Sequence, residues 1–451
     1  MPGEAVRSGR TVEGTPHMTV VNVPGKSDKG VVPMNRRRPT GRGASEGRPE
    51  TAGNPDWPTM TEAPNSEGMM SGLERIRQAA RKDKEVRFTS LLHHVTVTML
   101  EEAFRSLKHD DAAGIDGVTW SEYDEGLWRR LIDLHGRVQS GRYRPLPSKR
   151  AWIPKPDGRM RPLGIAALED KIVQLALVWV LQSIYEEDFA GFSYGFRPGR
   201  SQHQALDAVW VGTTERNVHW IVDADIRSFF DTIDHGWLMK SVEHRIADPR
   251  VLHLLRKWLR AGVSEDGKWS KTTVGTPQGA VISPLLANIF LHYAFDLWVK
   301  WWRNQERTGE VIVVRYADDF VVGFQTEDSA KRFLHELRER LAKFKLELHP
   351  DKTRLIEFGR YAQANRAKRG EGKPETFNFL GFTHRCAKRM KDGLFTVIRT
   401  TIAKRLGATL NRIGQTLMER RSQPVSEQGR WLGKVVRGWL NYHAVAGNII
   451  E

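Results

Sequence analysis

The sequence predicts an α+β fold, and three observations carry that expectation. Val311 to Phe324 reads VIVVRYADDFVVGF, two apolar, β-branched runs around Ala317, Asp318 and Asp319, the pattern of a β-hairpin with two adjacent carboxylates at its tip. His219 to Phe230, HWIVDADIRSFF, is a second apolar strand, whose period-2 alternation puts Asp223 and Asp225 on one face. Before and after these strands the spacing turns helical. Glu169 to Phe189 carries Ile172, Leu175, Trp179 and Ile184, and Ser329 to Lys345 carries Phe333, Leu337 and Leu341 on one face.

Asp is a common turn residue, so two of them at a hairpin tip do not define a site by themselves. With Asp225 brought to the same end of a sheet, three carboxylates converge. Such a cluster repels itself unless hard cations bind it, and Mg²⁺ held by carboxylates together with substrate phosphates suits phosphoryl transfer.

Composition narrows the partners. At 451 residues the chain is long enough for two or three domains, and its formal charge of +16 points to a polyanion, because basic surface draws in phosphate backbones at long range. The single cysteine, Cys386, excludes an internal disulfide and a Cys-rich zinc site and fits a reducing compartment. No run approaches the roughly 18 to 20 apolar residues of a membrane span, and the N-terminus lacks an apolar signal core. A cytoplasmic, nucleic-acid-associated protein is expected.

Residues 1–70 are rich in Gly, Pro, Ser, Thr and Arg without periodicity and read as disordered, with Arg36, Arg37 and Arg38 as a charge cluster. Order starts near Gly72, with two helices expected between Leu73 and Leu107. Ala113 to Thr119 is a Gly-punctuated turn leading into a helix, with Ser121 as its expected N-cap. Ala151 to Ile165 reads as a hairpin turning at Pro156, Asp157 and Gly158, flanked by Lys155 and Arg161. Phe192 to Ser201, FSYGFRPGRS, alternates aromatics with Arg197 and Arg200, which suits stacking on unpaired bases and pairing with phosphates; aromatic core packing is the alternative. Gly275 to Pro284, GTPQGAVISP, opens a helix through a turn whose glycines let backbone approach a ligand, with the Gln278 amide beside Gly279. From Arg385 to Arg437 there are 13 Lys/Arg against three acidic residues. There Ile402, Leu406, Leu410, Ile413 and Leu417 form a helical stripe that leaves Lys404, Arg405 and Arg412 off it, and a second helix is expected over Trp431–His443.

Tyr316-Ala317-Asp318-Asp319 resembles the catalytic box of reverse transcriptases, and Asp225 with Phe230 five residues later resembles their first catalytic strand. Blocks from 107 to 382 taken in order are similar to the fingers and palm of group II intron reverse transcriptase/maturases. Leu346 to Thr353 (with Lys352) resembles a later palm block, Phe377 to Phe382 the primer grip, and Arg437 to His443 part of the thumb or maturase domain. The resemblance implies a right-hand polymerase: fingers and palm over 71–384 with an N-terminal extension at 71–107, then a helical thumb over 385–451, shorter than is usual in the family. It implies that Asp225, Asp318, Asp319 and the main-chain carbonyl of Ile226 hold two Mg²⁺ ions, with Asp223 behind them. Lys155 and Arg161 would grip the dNTP triphosphate, Phe230 would exclude ribonucleotides, Gln278 and Gly279 would shape the nucleotide pocket, and Lys352 would lie near the active site. Arg197, Arg200, Lys404, Arg405, Arg412 and Arg437 are the expected contacts to template RNA, a group II intron RNA, with a DNA primer or target. Splicing assistance and mobility would accompany synthesis. The rival readings are an RNA-binding splicing cofactor that no longer polymerises, and a host-adopted enzyme of repair or phage defence.

Overall fold

The computed structural model describes residues 67–154, 160–265, 267–276, 279–306, 309–445 and 448. Its strands, in chain order, are β1 (Ser148–Pro154), β2 (Met160–Ile165), β3 (Trp220–Asp225), β4 (Val263–Glu265), β5 (Lys268–Ser270), β6 (Val311–Tyr316), β7 (Asp319–Phe324), β8 (Arg354–Glu357), β9 (Phe377–Phe379), β10 (Phe382–Lys388) and β11 (Phe395–Thr401). They form three sheets, ordered β2-β1-β4-β5, β6-β7-β3-β8 and β11-β10-β9, set among helices, so the chain is α+β as expected.

The sheet β6-β7-β3-β8 is antiparallel throughout and is covered on both faces. Val222, Ala224, Val313, Phe320, Val322 and Phe324 join one buried cluster with helices Leu168–Asp188, Ser283–Leu291 and Glu327–Lys343. Their alternates Ile221, Ile312, Val314 and Val321 join a second cluster, with helix Gln202–Glu215 and strands β9 to β11. A strand buried on both faces has no polar side to show, and the apolar runs at 311–314 and 320–324 follow from that.

Helix Leu168–Asp188 is buried around nearly its whole circumference rather than along one stripe, and several of its enclosed polar groups are paired. Asp170 accepts from the Leu146 N–H at 3.0 Å and from the Tyr143 hydroxyl, and the Lys171 ammonium donates to Asp111 at 3.0 Å. Asp248 is fully buried and accepts from four backbone N–H groups, those of Leu91, Leu92, Arg250 and Val251, so one carboxylate both caps helix Pro249–Arg260 and docks the N-terminal segment.

Several local expectations shift by a few residues. The first helix runs Glu67–Lys82, and residues 1–66, with Arg36 to Arg38, lie outside the described residues. Thr119, not Ser121, caps its helix, because Thr119 and Glu122 exchange side-chain and backbone bonds in a capping box. Thr326 starts the next amphipathic helix at Glu327. The basic C-terminal segment forms helices Ala403–Glu419 and Val425–His443, the second beginning six residues before Trp431, and neither contains a buried residue. Of the apolar stripe of the first, Ile402, Ile413 and Leu417 are half-buried while Leu406 and Leu410 are exposed, Leu410 at 58 %. No helix among the described residues is long and apolar enough to cross a membrane.

Candidate active site

Strand register brings the acidic residues to one end of the central sheet. Asp225, the last residue of β3, stands opposite Asp319, the first of β7, and Tyr316 at the end of β6 pairs with the same Asp319. Ala317 and Asp318 are left as the turn, with Ala317 in the left-handed region at φ 57°. Asp223 shares the face of Asp225 and lies across from Arg354 on β8, whose guanidinium donates to it at 3.2 Å and to the Thr376 carbonyl at 3.1 Å. Asp223 thus has its own cation.

The charges at this end are strained. Burial pushes the Asp318 carboxyl up to about 6, and the charge of Asp225 adds to the rise while Arg161 and Lys352 oppose it. Burial and then Asp318, Asp223 and Asp225 hold Asp319 well above the usual carboxylate range. The Lys352 ammonium donates to Asp225. Among the described residues no three His, Cys, Asp or Glu side chains are grouped closely enough to hold a metal ion between them. The Lys352 ammonium neutralises part of the charge on Asp225. The donor set, hard oxygens that repel one another at a desolvated sheet end, fits Mg²⁺, which takes one or two carboxylates and completes its shell with water and substrate phosphates.

The neighbouring blocks assemble around this end. Ile226 bridges to Leu348, and the bonds flanking that bridge run from His349 N–H to the Asp225 carbonyl (2.8 Å) and from Arg227 N–H to the Glu347 carbonyl (2.9 Å), so they leave the Ile226 carbonyl out of the pairing. The same segment delivers Lys352. Phe230 packs partly buried on Phe229, ring centroids 5.4 Å apart, and its carbonyl accepts from Thr276 N–H at 2.8 Å. Gly279, at φ 107°, comes so close to β2 that a Cβ there would stand 2.7 Å from the Gly164 carbonyl oxygen. Gly275 and Thr276 therefore lie against the Phe230 segment, and Gly279 against the strand that carries the exposed Arg161. Lys155 and Gln278 lie outside the described residues.

The FSYGF segment departs from its reading as an RNA contact. Phe192 and Tyr194 are buried, and Arg197 is 6 % exposed. The Arg197 guanidinium donates to Glu186 at 3.0 and 2.9 Å and to the Ala190 and Ser193 carbonyls at 2.8 Å each. A guanidinium spent in this way cannot also grip a phosphate. Arg200 is half-buried, 5.3 Å from the Tyr194 ring centroid. The aromatic-core alternative describes this loop, which is laid against the edge of β6: Tyr194 N–H donates to the Arg315 carbonyl at 2.8 Å and Arg315 N–H to the Phe192 carbonyl at 2.9 Å.

Lys404, Arg405, Arg412 and Arg437 are exposed, and Arg437 also donates to the Gly433 carbonyl within its helix at 3.2 Å. Their helices are tied to the β9–β10 turn, where the Tyr442 hydroxyl donates to the Leu380 carbonyl at 2.7 Å.

Sequence reasoning passes over Arg315 and Asp296. Arg315 has no exposed surface; it donates to Asp296 at 2.7 and 2.5 Å, to Asn288 at 3.0 Å, to Ser193 Oγ at 2.7 Å and to the Ala317 carbonyl at 3.0 Å. The available signal is a lone arginine inside an apolar strand, answered by a lone aspartate inside an apolar helix.

Comparison with known proteins fits this geometry. Residues 153–384, just over half of the chain, match the family described as "Reverse transcriptase (RNA-dependent DNA polymerase)". The chain is 38 % identical over 311 residues to Protein YkfC of Escherichia coli (strain K12), covering 61 % of this chain and 81 % of that protein. It is 32 % identical over 307 residues to the group II intron-encoded protein LtrA of Lactococcus lactis subsp. cremoris, covering 66 % of this chain and 49 % of LtrA. It is also 41 % identical over 191 residues to an uncharacterized 91 kDa protein in a cob intron of Schizosaccharomyces pombe, covering 42 % of this chain and 23 % of that protein. The chain thus spans about half or less of the length of its intron-encoded relatives here. With a paired Asp225 and Asp319 at the sheet end and the matched region extending over every element around them, this chain belongs to the reverse transcriptase family, in its group II intron reverse transcriptase/maturase branch.

Proposed function

We propose that the chain is an RNA-directed DNA polymerase that copies group II intron RNA from a DNA primer, and that it assists splicing and mobility of that intron. The observation that carries this reading is the register pairing Asp225 with Asp319 beside the Asp318 turn: three carboxylates whose repulsion a divalent cation would relieve. In right-hand terms, the sheet β2-β1-β4-β5 belongs to the fingers, the sheet β6-β7-β3-β8 is the palm, and helices Ala403–Glu419 and Val425–His443 are the thumb.

Asp225, Asp318, Asp319 and the Ile226 carbonyl would hold two Mg²⁺ ions, which when bound supply Lewis-acid activation of the primer 3′ hydroxyl and neutralise charge on the leaving pyrophosphate. Arg161, with Lys155, neutralises charge spread over the triphosphate oxygens and orients the α-phosphorus toward the primer. Phe230 walls the sugar 2′ position and disfavours ribonucleotides. Gly279, lacking a side chain, would let its backbone approach the nucleotide closely, and Gln278 would position that nucleotide. Lys404, Arg405, Arg412 and Arg437 supply exposed charge for the RNA and primer backbone.

Primer extension on an RNA template with Mg²⁺ tests the reading, run beside Asp318→Ala. Extension by the wild type and none by the variant, at equal RNA affinity, is the expected result. Extension retained by Asp318→Ala would overturn the site assignment, and tight RNA binding without extension by the wild type would establish a splicing cofactor instead.

A further inference from the structure

Arg315 lies under the hairpin tip, and every direction its guanidinium faces is answered. Asp296 takes two donors, Nε at 2.7 Å and Nη2 at 2.5 Å, the paired geometry in which a guanidinium fork meets a carboxylate. Nη1 reaches Asn288 Oδ1 and the Ala317 carbonyl at 3.0 Å each, and Nη2 reaches Ser193 Oγ at 2.7 Å. These partners come from different parts of the chain. Asn288 lies on the helix that follows the 275–284 turn, Ser193 belongs to the loop beside β6, and Ala317 is the first turn residue of the candidate catalytic hairpin.

Two further observations show that the arrangement is imposed on the backbone. Asp296 ends a π-helical turn, His292–Asp296, inserted between helices Ser283–Leu291 and Leu297–Gln305. An added residue in a turn re-aims the side chains around it, and such turns persist only where something offsets their cost. Ala317 meanwhile adopts φ 57°, a conformation an L-residue with a Cβ holds only when its surroundings over-determine it. The Arg315 bond to the Ala317 carbonyl is one such determinant. A second is the Gly195 backbone, so close that a Cβ at 195 would stand 2.5 Å from the Ala317 nitrogen, while its carbonyl accepts from Asn288 Nδ2 at 2.7 Å.

We propose that Arg315 is a positioning residue: clamped by Asp296 and Asn288, it holds the Ala317 turn in its left-handed form and so sets where Asp318 and Asp319 stand relative to Asp225. It touches neither substrate nor cation and acts through the turn. The catalytic part of this proposal rests on the polymerase reading; the conformational part does not.

Arg315→Lys is the test variant. It keeps a positive charge opposite Asp296, but a single ammonium cannot serve Asp296, Asn288, Ser193 and the Ala317 carbonyl together. Two readouts separate positioning from bulk stability. Hydrogen exchange of peptides spanning 311–324 should quicken at least about 10-fold at the 317–319 tip, with the helix 168–188 unchanged. In primer extension kcat should fall roughly 30-fold, with KM for dNTP and RNA affinity within about 3-fold. If Arg315→Lys does not fold, the paired change Arg315→Met with Asp296→Leu removes both buried charges at similar volume, and the same readouts apply. Unchanged tip exchange in the folded variant overturns the positioning role, as does a kcat equal to wild type. If the wild type itself extends no primer, the polymerase reading fails, and tip exchange alone then decides whether Arg315 holds the turn.

Discussion

Gly195→Ala offers a steric test of how the candidate hairpin is held. The added methyl would stand 2.5 Å from the Ala317 nitrogen and 3.0 Å from the Tyr316 carbonyl carbon, both backbone atoms that cannot rotate aside. Ordinary contact begins near 3.4 Å, so the loop and the hairpin tip must separate by about 0.9 Å. Gly195 is not among the positive-φ residues, so alanine costs nothing in backbone conformation and the effect is purely one of space. Overpacking of this kind destabilises by about 1–3 kcal/mol. A displacement near 1 Å at reacting groups can cost about 100-fold in rate. The expected outcome is a folded protein with RNA affinity within about 3-fold of wild type and kcat for RNA-templated extension down roughly 100-fold. Single-turnover extension at saturating primer-template and dNTP separates the chemical step from binding. A Gly195→Ala enzyme that extends at the wild-type rate would refute the close approach of loop and tip as a constraint on the carboxylates.

Other outcomes follow from the same structure. Asp248→Ala removes a helix cap worth about 1 kcal/mol and strands the Leu91 and Leu92 N–H groups, so urea denaturation should show a loss of roughly 2–4 kcal/mol; a loss below about 0.5 kcal/mol would mean that the N-terminal segment is docked by other contacts. His384, fully buried and stacked at 4.7 Å on Phe377, is pushed down to about 3, first by burial and then by Arg399. Its folded value lies below the unfolded one near 6.5, so its contribution to stability is full above that pH and is lost as pH falls toward 3. His384→Leu should therefore flatten the acid limb of a stability–pH curve, by roughly 2 kcal/mol between pH 7 and 5, and an unchanged limb would contradict the burial. Lys352→Met frees Asp225 from its ammonium partner, so Mn²⁺ titrated without substrate should bind several-fold more tightly by calorimetry; weaker binding would show that Lys352 supports the cation rather than substituting for it.

What the sequence by itself determined is everything that short-range chemistry and alternation decide. The β-branched apolar runs within 219–225 and 311–324 read as buried strands, period 2 alone puts Asp223 and Asp225 on one face, and the Tyr316 to Asp319 box marks the hairpin tip. The helix at 327–343 follows from 3.6-residue spacing, with its start displaced because the cap that forms, Thr326, depends on which hydroxyl reaches an N–H, whereas the helix at 168–188 is apolar nearly all round. Tertiary structure decided which charged residues face solvent. Arg197 and Arg200 carry the same side chain in one short motif, yet Arg197 is consumed by Glu186 and two carbonyls while Arg200 is only half-buried. Arg315 looks like an accident within VIVVRY until Asp296, Asn288 and Ser193, distant in the chain, converge on it. A guanidinium is a phosphate ligand on a surface and a backbone clamp in a core, and its partners, which only the folded chain assembles, decide between the two.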